Sequence, residues 1–138
     1  MGGRVALGPF GLSYVPLAHS IPEGNALLIE TPHGRVFHTG DWKLDAAPLI
    51  GTPSTAEELT AVGDMGVLAM VCDSTNVFNP EPSGSEADVR DGLAEVIASR
   101  RGRVVVTTFA SNAARLGTLG EVARRTGREL VVAGRSLD

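Results

Sequence analysis

Four short apolar runs open the chain, and each stops at a turn rich in glycine or proline. Arg4 to Leu7, Leu12 to Leu17, Ala26 to Glu30 and Arg35 to His38 read as strands. Gly8-Pro9, Pro22-Glu23-Gly24 and Pro32-His33-Gly34 separate them, and the last of these predicts a hairpin. The pattern then changes period. Ser54-Thr55-Ala56-Glu57 has the spacing of a capping box and predicts a helix from Ser54 to about Val62, stopped by Gly63. Val67 to Cys72 is a continuous apolar run, expected to be a buried strand that delivers the polar cluster Asp73-Ser74-Thr75-Asn76 at its C-terminal end.

Asn79-Pro80-Glu81-Pro82-Ser83-Gly84 opposes both helix and sheet and marks a domain boundary, with residues 1–83 in one piece and 84–138 in another. Beyond it, Ser85 caps a helix that carries Val89, Leu93, Val96 and Ile97 on one face, with Glu86 and Asp88 near its positive end. Val104 to Thr108 follows as a strand, then a helix from about Asn112 to Thr126 stopped by Gly127, then a strand over Leu130 to Ala133. Strands alternating with helices predict an α/β fold with a parallel sheet in this second piece.

Composition narrows the class. At 138 residues, 43% hydrophobic and 20% charged, the chain has the make-up of a globular domain and not of a disordered one. A run of about 20 apolar residues, the length that crosses a bilayer, is absent, and the first residues do not resemble a signal peptide; the expectation is a cytoplasmic protein with no membrane partner. One cysteine, Cys72, rules out an intrachain disulfide and fits a buried small residue better than a nucleophile. A formal net charge of −4 provides no general attraction for nucleic acid, so an anionic polymer would have to bind at a local patch or a metal.

The chemistry is concentrated at strand ends. Asp41, in His38-Thr39-Gly40-Asp41-Trp42-Lys43, sits on a sharp turn after a strand, where ligands bind in layered α/β proteins. His19 also follows an apolar strand, and an imidazole and a carboxylate at the ends of two strands can meet at one metal. Asp after Gly is also ordinary turn chemistry, and a lone histidine at a strand end is more often a satisfied side chain than a ligand. His38 reads as a histidine that packs or orients the loop, and His33 as solvated. Asp73 can cap its own turn. Ser111 and Asn112 open a helix whose exposed amides favour a phosphate, with Arg115 nearby, though either residue can simply cap the helix. Arg135 and Ser136 carry the same two readings after the next strand. Arg100, Arg101 and Arg103 fit a solvated face, and Trp42 fits an indole packed over the turn.

Five motifs occur here in a telling order: His19-Ser20-Ile21-Pro22, His38-Thr39-Gly40-Asp41, Cys72-Asp73-Ser74-Thr75-Asn76, Thr108-Phe109-Ala110-Ser111-Asn112 and Gly134-Arg135-Ser136. Together they resemble the ribonuclease J family, in the β-CASP branch of the metallo-β-lactamase superfamily, over nearly the whole chain. The resemblance implies part of a metallo-β-lactamase αββα layer followed by the start of a Rossmann-like β-CASP domain. It implies a zinc-dependent ribonuclease that cuts RNA internally and trims it from the 5′ end, with 5′-monophosphorylated RNA as partner and a dimeric or tetrameric parent. By position, His19 corresponds to a zinc ligand and Asp41 to the carboxylate that bridges two Zn²⁺ ions. Asp73 corresponds to the acidic residue of the first β-CASP motif, acting with Asp41 around the scissile phosphate, and Ser111, Asn112, Arg135 and Ser136 are substrate-binding candidates.

The superfamily's main motif, His-x-His-x-Asp-His, is absent, so this chain supplies only two of the donors that a two-zinc site needs. It reads as an internal fragment of a larger enzyme, inactive alone. Two other functions compete. One is a metallo-β-lactamase-type hydrolase of DNA or a small ester, against which the β-CASP matches at Asp73 and Ser111 argue. The other is a nucleotide-binding module with no metal, weakened by the absence of Gly-x-Gly-x-x-Gly and of a P-loop.

Overall fold

The computed structural model describes residues 3–45 and 47–135; Ser136 lies outside the described residues. Five strands form one sheet in the order β1-β2-β3-β4-β5: β1 Arg4–Leu7, β2 Phe10–Pro16, β3 Asn25–Thr31, β4 Gly34–His38 and β5 Val67–Val71. The first four are antiparallel neighbours, joined by the turns that the sequence marks. Helix α1, Ala56–Asp64, crosses from β4 to β5, which therefore pair in parallel.

Alternation along β2 and β3 turns Ser13, Val15, Ala26 and Leu28 to one face. There Val15, Leu17, Ala26, Leu28, Phe37 and Val62 of α1 make a core, with Trp42, Leu59, Met65 and Val67 packed against it. The cap of α1 is Thr55, one residue later than the sequence suggests. Its hydroxyl accepts from the Glu58 amide at 3.2 Å, while the Ser54 hydroxyl is drawn away to accept from the Ala18 amide at 2.6 Å. A tertiary bond took the residue that local spacing had nominated.

The second half contributes helices α2, Glu86–Ala98, and α3, Ala113–Arg125. Ser85 caps α2 in a full capping box with Asp88, and Asn112 caps α3 by accepting from the Arg115 amide at 2.8 Å. Ala94, Ile97, Leu119 and Val122 form the core between the two helices.

Three expected features differ. Strand β5 is not buried: Leu68, Met70 and Val71 are exposed, because β5 is an edge strand that pairs with β4 alone. Cys72 is correspondingly half-buried. Neither Val104 to Thr108 nor Leu130 to Ala133 joins a ladder among the described residues, and their apolar side chains are largely exposed. A strand is completed only by a partner's backbone, and here neither run finds one. The parallel pairing within the described residues is that of β4 with β5.

Candidate functional site

Strands β2, β4 and β5 run in the same direction, so their C-terminal ends share one edge of the sheet. His19 follows β2, Asp41 follows β4 and Asp73 follows β5, which places all three at the edge where open α/β sheets bind ligands. The turn that presents Asp41 is fixed from several sides. Gly40 has φ +60°, a left-handed conformation that costs other residues about 1–2 kcal/mol. Its amide donates to His38 Nδ1 at 3.0 Å, so His38 orients the loop. Thr39, buried, donates its amide to the Val71 carbonyl at 3.0 Å, and its hydroxyl accepts from the Asp73 amide at 3.2 Å. Trp42 Nε1 donates to the Asp73 carbonyl at 3.2 Å, packing the indole over the turn. The Lys43 amide donates to the Ala18 carbonyl at 3.0 Å and so ties the turn to the His19 segment.

His19 and Asp41 line a cavity of about 400 Å³ together with Ser111 and Asn112 from the second half. An adjoining space of about 270 Å³ is lined by His19, Asp41 and Ser111 again. Residues separated by some ninety positions thus face one hollow. The closure is direct: the Ala114 amide at the start of α3 donates to the Ser20 carbonyl at 3.2 Å. Ser20 Oγ lies 3.2 Å from His19 Nδ1, which leaves Nε2 as the imidazole atom available to a metal.

The remaining candidates stand apart. Asp73 is exposed and does not line the cavity. Its carboxylate accepts from the Thr75 hydroxyl and from the Thr75 amide, and these bonds hold it below the usual carboxylate range. Arg135 is exposed and away from the cavity, and Ser136 is outside the described residues. Asn112 spends its side-chain oxygen on the helix cap, while Ser111 does not cap. Arg115 pairs with Glu86, with Nη2 to Oε1 at 2.9 Å and Nε to Oε2 at 3.3 Å, and is not left for phosphate.

Sequence reasoning passed over Lys43, Asp45 and Glu86, all of which line the cavity. Asp45 is only 4% exposed. Burial, the largest single influence, pushes its carboxyl up, but hydrogen bonds, first from the Ala47 and Glu86 amides, with the Lys43 ammonium, outweigh it and hold it below the usual range. The available signal was a second aspartate four residues after Asp41, too common a pattern to single out.

Imidazole nitrogen and carboxylate oxygen are the donor types that zinc accepts, at about 2.0–2.2 Å. Among the described residues no group of three or more His, Cys, Asp or Glu side chains gathers to hold a metal, so His19 and Asp41 fit as a share of a donor set and not as a whole one. No helix among the described residues is long and apolar enough to cross a membrane.

Residues 101–138 match the family described as ribonuclease J, beta-CASP domain. The chain is 45% identical over 136 residues to ribonuclease J of Sinorhizobium meliloti, covering 99% of this chain and 24% of that protein. It is 42% identical over 130 residues to ribonuclease J of Corynebacterium glutamicum, covering 94% of this chain and 18% of that protein. With ribonuclease J of Thermus thermophilus the figures are 38% over 128 residues, 93% and 22%. The fold is also similar to a crystal structure of a protein of unknown function from Enterococcus faecalis, with a TM-score of 0.59 at 19% identity over 88% of this chain and 29% of that one. The chain therefore spans about a quarter of the length of the curated relatives it matches. Within that span the chain is similar to proteins named ribonuclease J, and its residues 101–138 match that family's β-CASP domain.

Proposed function

We propose that this chain forms one wall of the catalytic centre of a zinc-dependent ribonuclease that hydrolyses RNA phosphodiester bonds, cutting internally and trimming from the 5′ end. The observation that carries the reading is the cavity where His19 and Asp41, from one sheet edge, face Ser111 and Asn112 at the start of α3. The extent of the identity to ribonuclease J supports it, since that identity runs along nearly the whole chain and includes every segment that lines the cavity.

In this reading residues 1–83 belong to the metallo-β-lactamase layer and 84–138 to the β-CASP domain, and the cavity lies where the two meet. His19 Nε2 and the Asp41 carboxylate would be this chain's share of the zinc donors. Zinc, when bound, supplies Lewis acidity and lowers the pKa of water. Asp73 keeps a charged carboxylate beside His19, where it orients groups around the scissile phosphate together with Asp41. Ser111 and the amides that open α3 receive a phosphate oxygen, and Arg135 and Ser136 are further candidates for contact with the RNA. The remaining metal donors come from outside these residues, and the parent enzyme is a cytoplasmic homo-oligomer acting on 5′-monophosphorylated RNA.

The test is made in the complete enzyme. Asp41→Ala brings cleavage of a 5′-monophosphorylated RNA to background and lowers the zinc content, while the circular dichroism spectrum is unchanged. Retained cleavage or full zinc content removes Asp41 from the centre.

A further inference from the structure

Asp45 is the buried carboxylate nearest the candidate site, and neither the metal chemistry nor the RNA contacts use it. Its Oδ1 accepts from the Ala47 amide at 3.0 Å, and its Oδ2 accepts from the Glu86 amide at 3.2 Å and sits 3.2 Å from Lys43 Nζ. The Lys43 side chain is itself only 21% exposed, so this is a largely desolvated pair, held on the loop two and four residues beyond Asp41. Ser85, the cap of α2, donates its hydroxyl to the Ala47 carbonyl at 3.1 Å, so two bonds from the same short loop grip the start of α2.

From α2 the linkage continues to α3. The Glu86 carboxylate is paired at both oxygens with the Arg115 guanidinium, and the Arg115 amide is the one that Asn112 caps. A continuous path of bonds therefore leads from the Asp41 turn through Lys43, Asp45, Glu86 and Arg115 to Asn112. Lys43, Asp45, Glu86 and Asn112 all line the same cavity as Asp41. Solvation alone would leave a lysine and an aspartate on a loop exposed. Their burial against a helix amide 41 positions away in sequence has an energetic cost that a geometric role accounts for.

We propose that Asp45 is a positioning residue: it sets the distance and angle between the wall bearing His19 and Asp41 and the wall bearing Ser111 and Asn112. It touches neither metal nor substrate. This rests on the function proposed above, because the reaction needs the scissile phosphate placed against the metal donors, and a misplacement of about 1 Å can cost on the order of 100-fold in rate.

The experiment uses the complete enzyme with Asp45→Ala and Asp45→Asn. The asparagine keeps the size of the side chain and one acceptor oxygen, so it folds even where alanine does not. Expected for alanine is a kcat lowered roughly 100-fold with little change in KM and with zinc content retained. Asparagine gives a kcat between alanine and wild type, and the Glu86 amide exchanges hydrogen faster in both variants. A wild-type kcat for Asp45→Asn alongside a lowered melting temperature overturns the proposal and leaves a purely structural helix cap. Loss of zinc, or a raised KM at unchanged kcat, overturns it in favour of ligation or substrate contact. Asp41→Ala, run in parallel, separates the two readings: if it stays active the ribonuclease centre is wrong, whereas if it is dead and Asp45→Asn is unimpaired only the positioning role falls.

Discussion

The sheet and the helical pair are built from similar apolar material and end in different states. In the first half, Leu28 is 0% exposed at the centre of three antiparallel strands, and α1 closes the face with Val62. In the second half, α2 and α3 bury Ile97, Leu119 and Val122 against each other, while Val105 and Val131 on the flanking apolar runs are 82% and 86% exposed. The contrast separates two kinds of completeness. A helix closes its own hydrogen bonds, so α2 and α3 need only one another's apolar stripes. A strand borrows its bonds from a neighbour, so an apolar run without a ladder stays an exposed segment however β-prone its residues are.

Four measurements break or sharpen that contrast. Leu28→Ala has the largest expected effect, a loss of about 2–5 kcal/mol in urea unfolding of this chain, because it opens a cavity in the core under the laddered sheet. Gly40→Ala comes next, at about 1–2 kcal/mol. There is room for the added Cβ, whose nearest neighbour is the Asn25 carbonyl at 3.7 Å, so the cost is the left-handed backbone and not a clash. Asp45 gives a smaller, pH-dependent effect that probes the joint between the halves. Its folded pKa lies below the unfolded value of about 3.9, so its contribution is present above that pH and is lost as pH falls through the folded pKa. The stability gap between wild type and Asp45→Asn is therefore constant near neutrality and closes in acid, which acid titrations of both proteins would reveal. Val131→Thr should change stability least, within about 0.5 kcal/mol. A cost for Val131→Thr comparable to that of Leu28→Ala would show that the second half has a packed sheet after all.

Much of this was legible in the sequence because it was local. The hairpins β1 to β4 follow from short apolar runs between Gly and Pro turns, and Ser85 and Asn112 cap their helices as their residue types suggest. The errors fall where a distant group intervened. Ser54 lost its cap to Thr55 because the Ala18 amide claimed its hydroxyl. Val104 to Thr108 and Leu130 to Ala133 have strand-like composition, but no pattern within a segment reveals whether another backbone will lie beside it. The same limit applied to the candidate site. His19, Asp41 and Ser111 carried recognisable motifs, while Asp45 carried none.

By itself the sequence determined which segments could become strands or helices, where the chain had to turn, and which side chains could bind metal or phosphate. These depend on backbone sterics, apolar period and donor chemistry, all properties of a few neighbouring residues. Only the tertiary structure decided that Ser111 and Asn112 share a cavity with His19 and Asp41, and that Asp45 is a buried joint instead of a solvated loop carboxylate. A carboxylate's state is set by whatever amides and cations surround it, and for Asp45 one of those amides belongs to Glu86, brought there by the packing of α2 against the site loop.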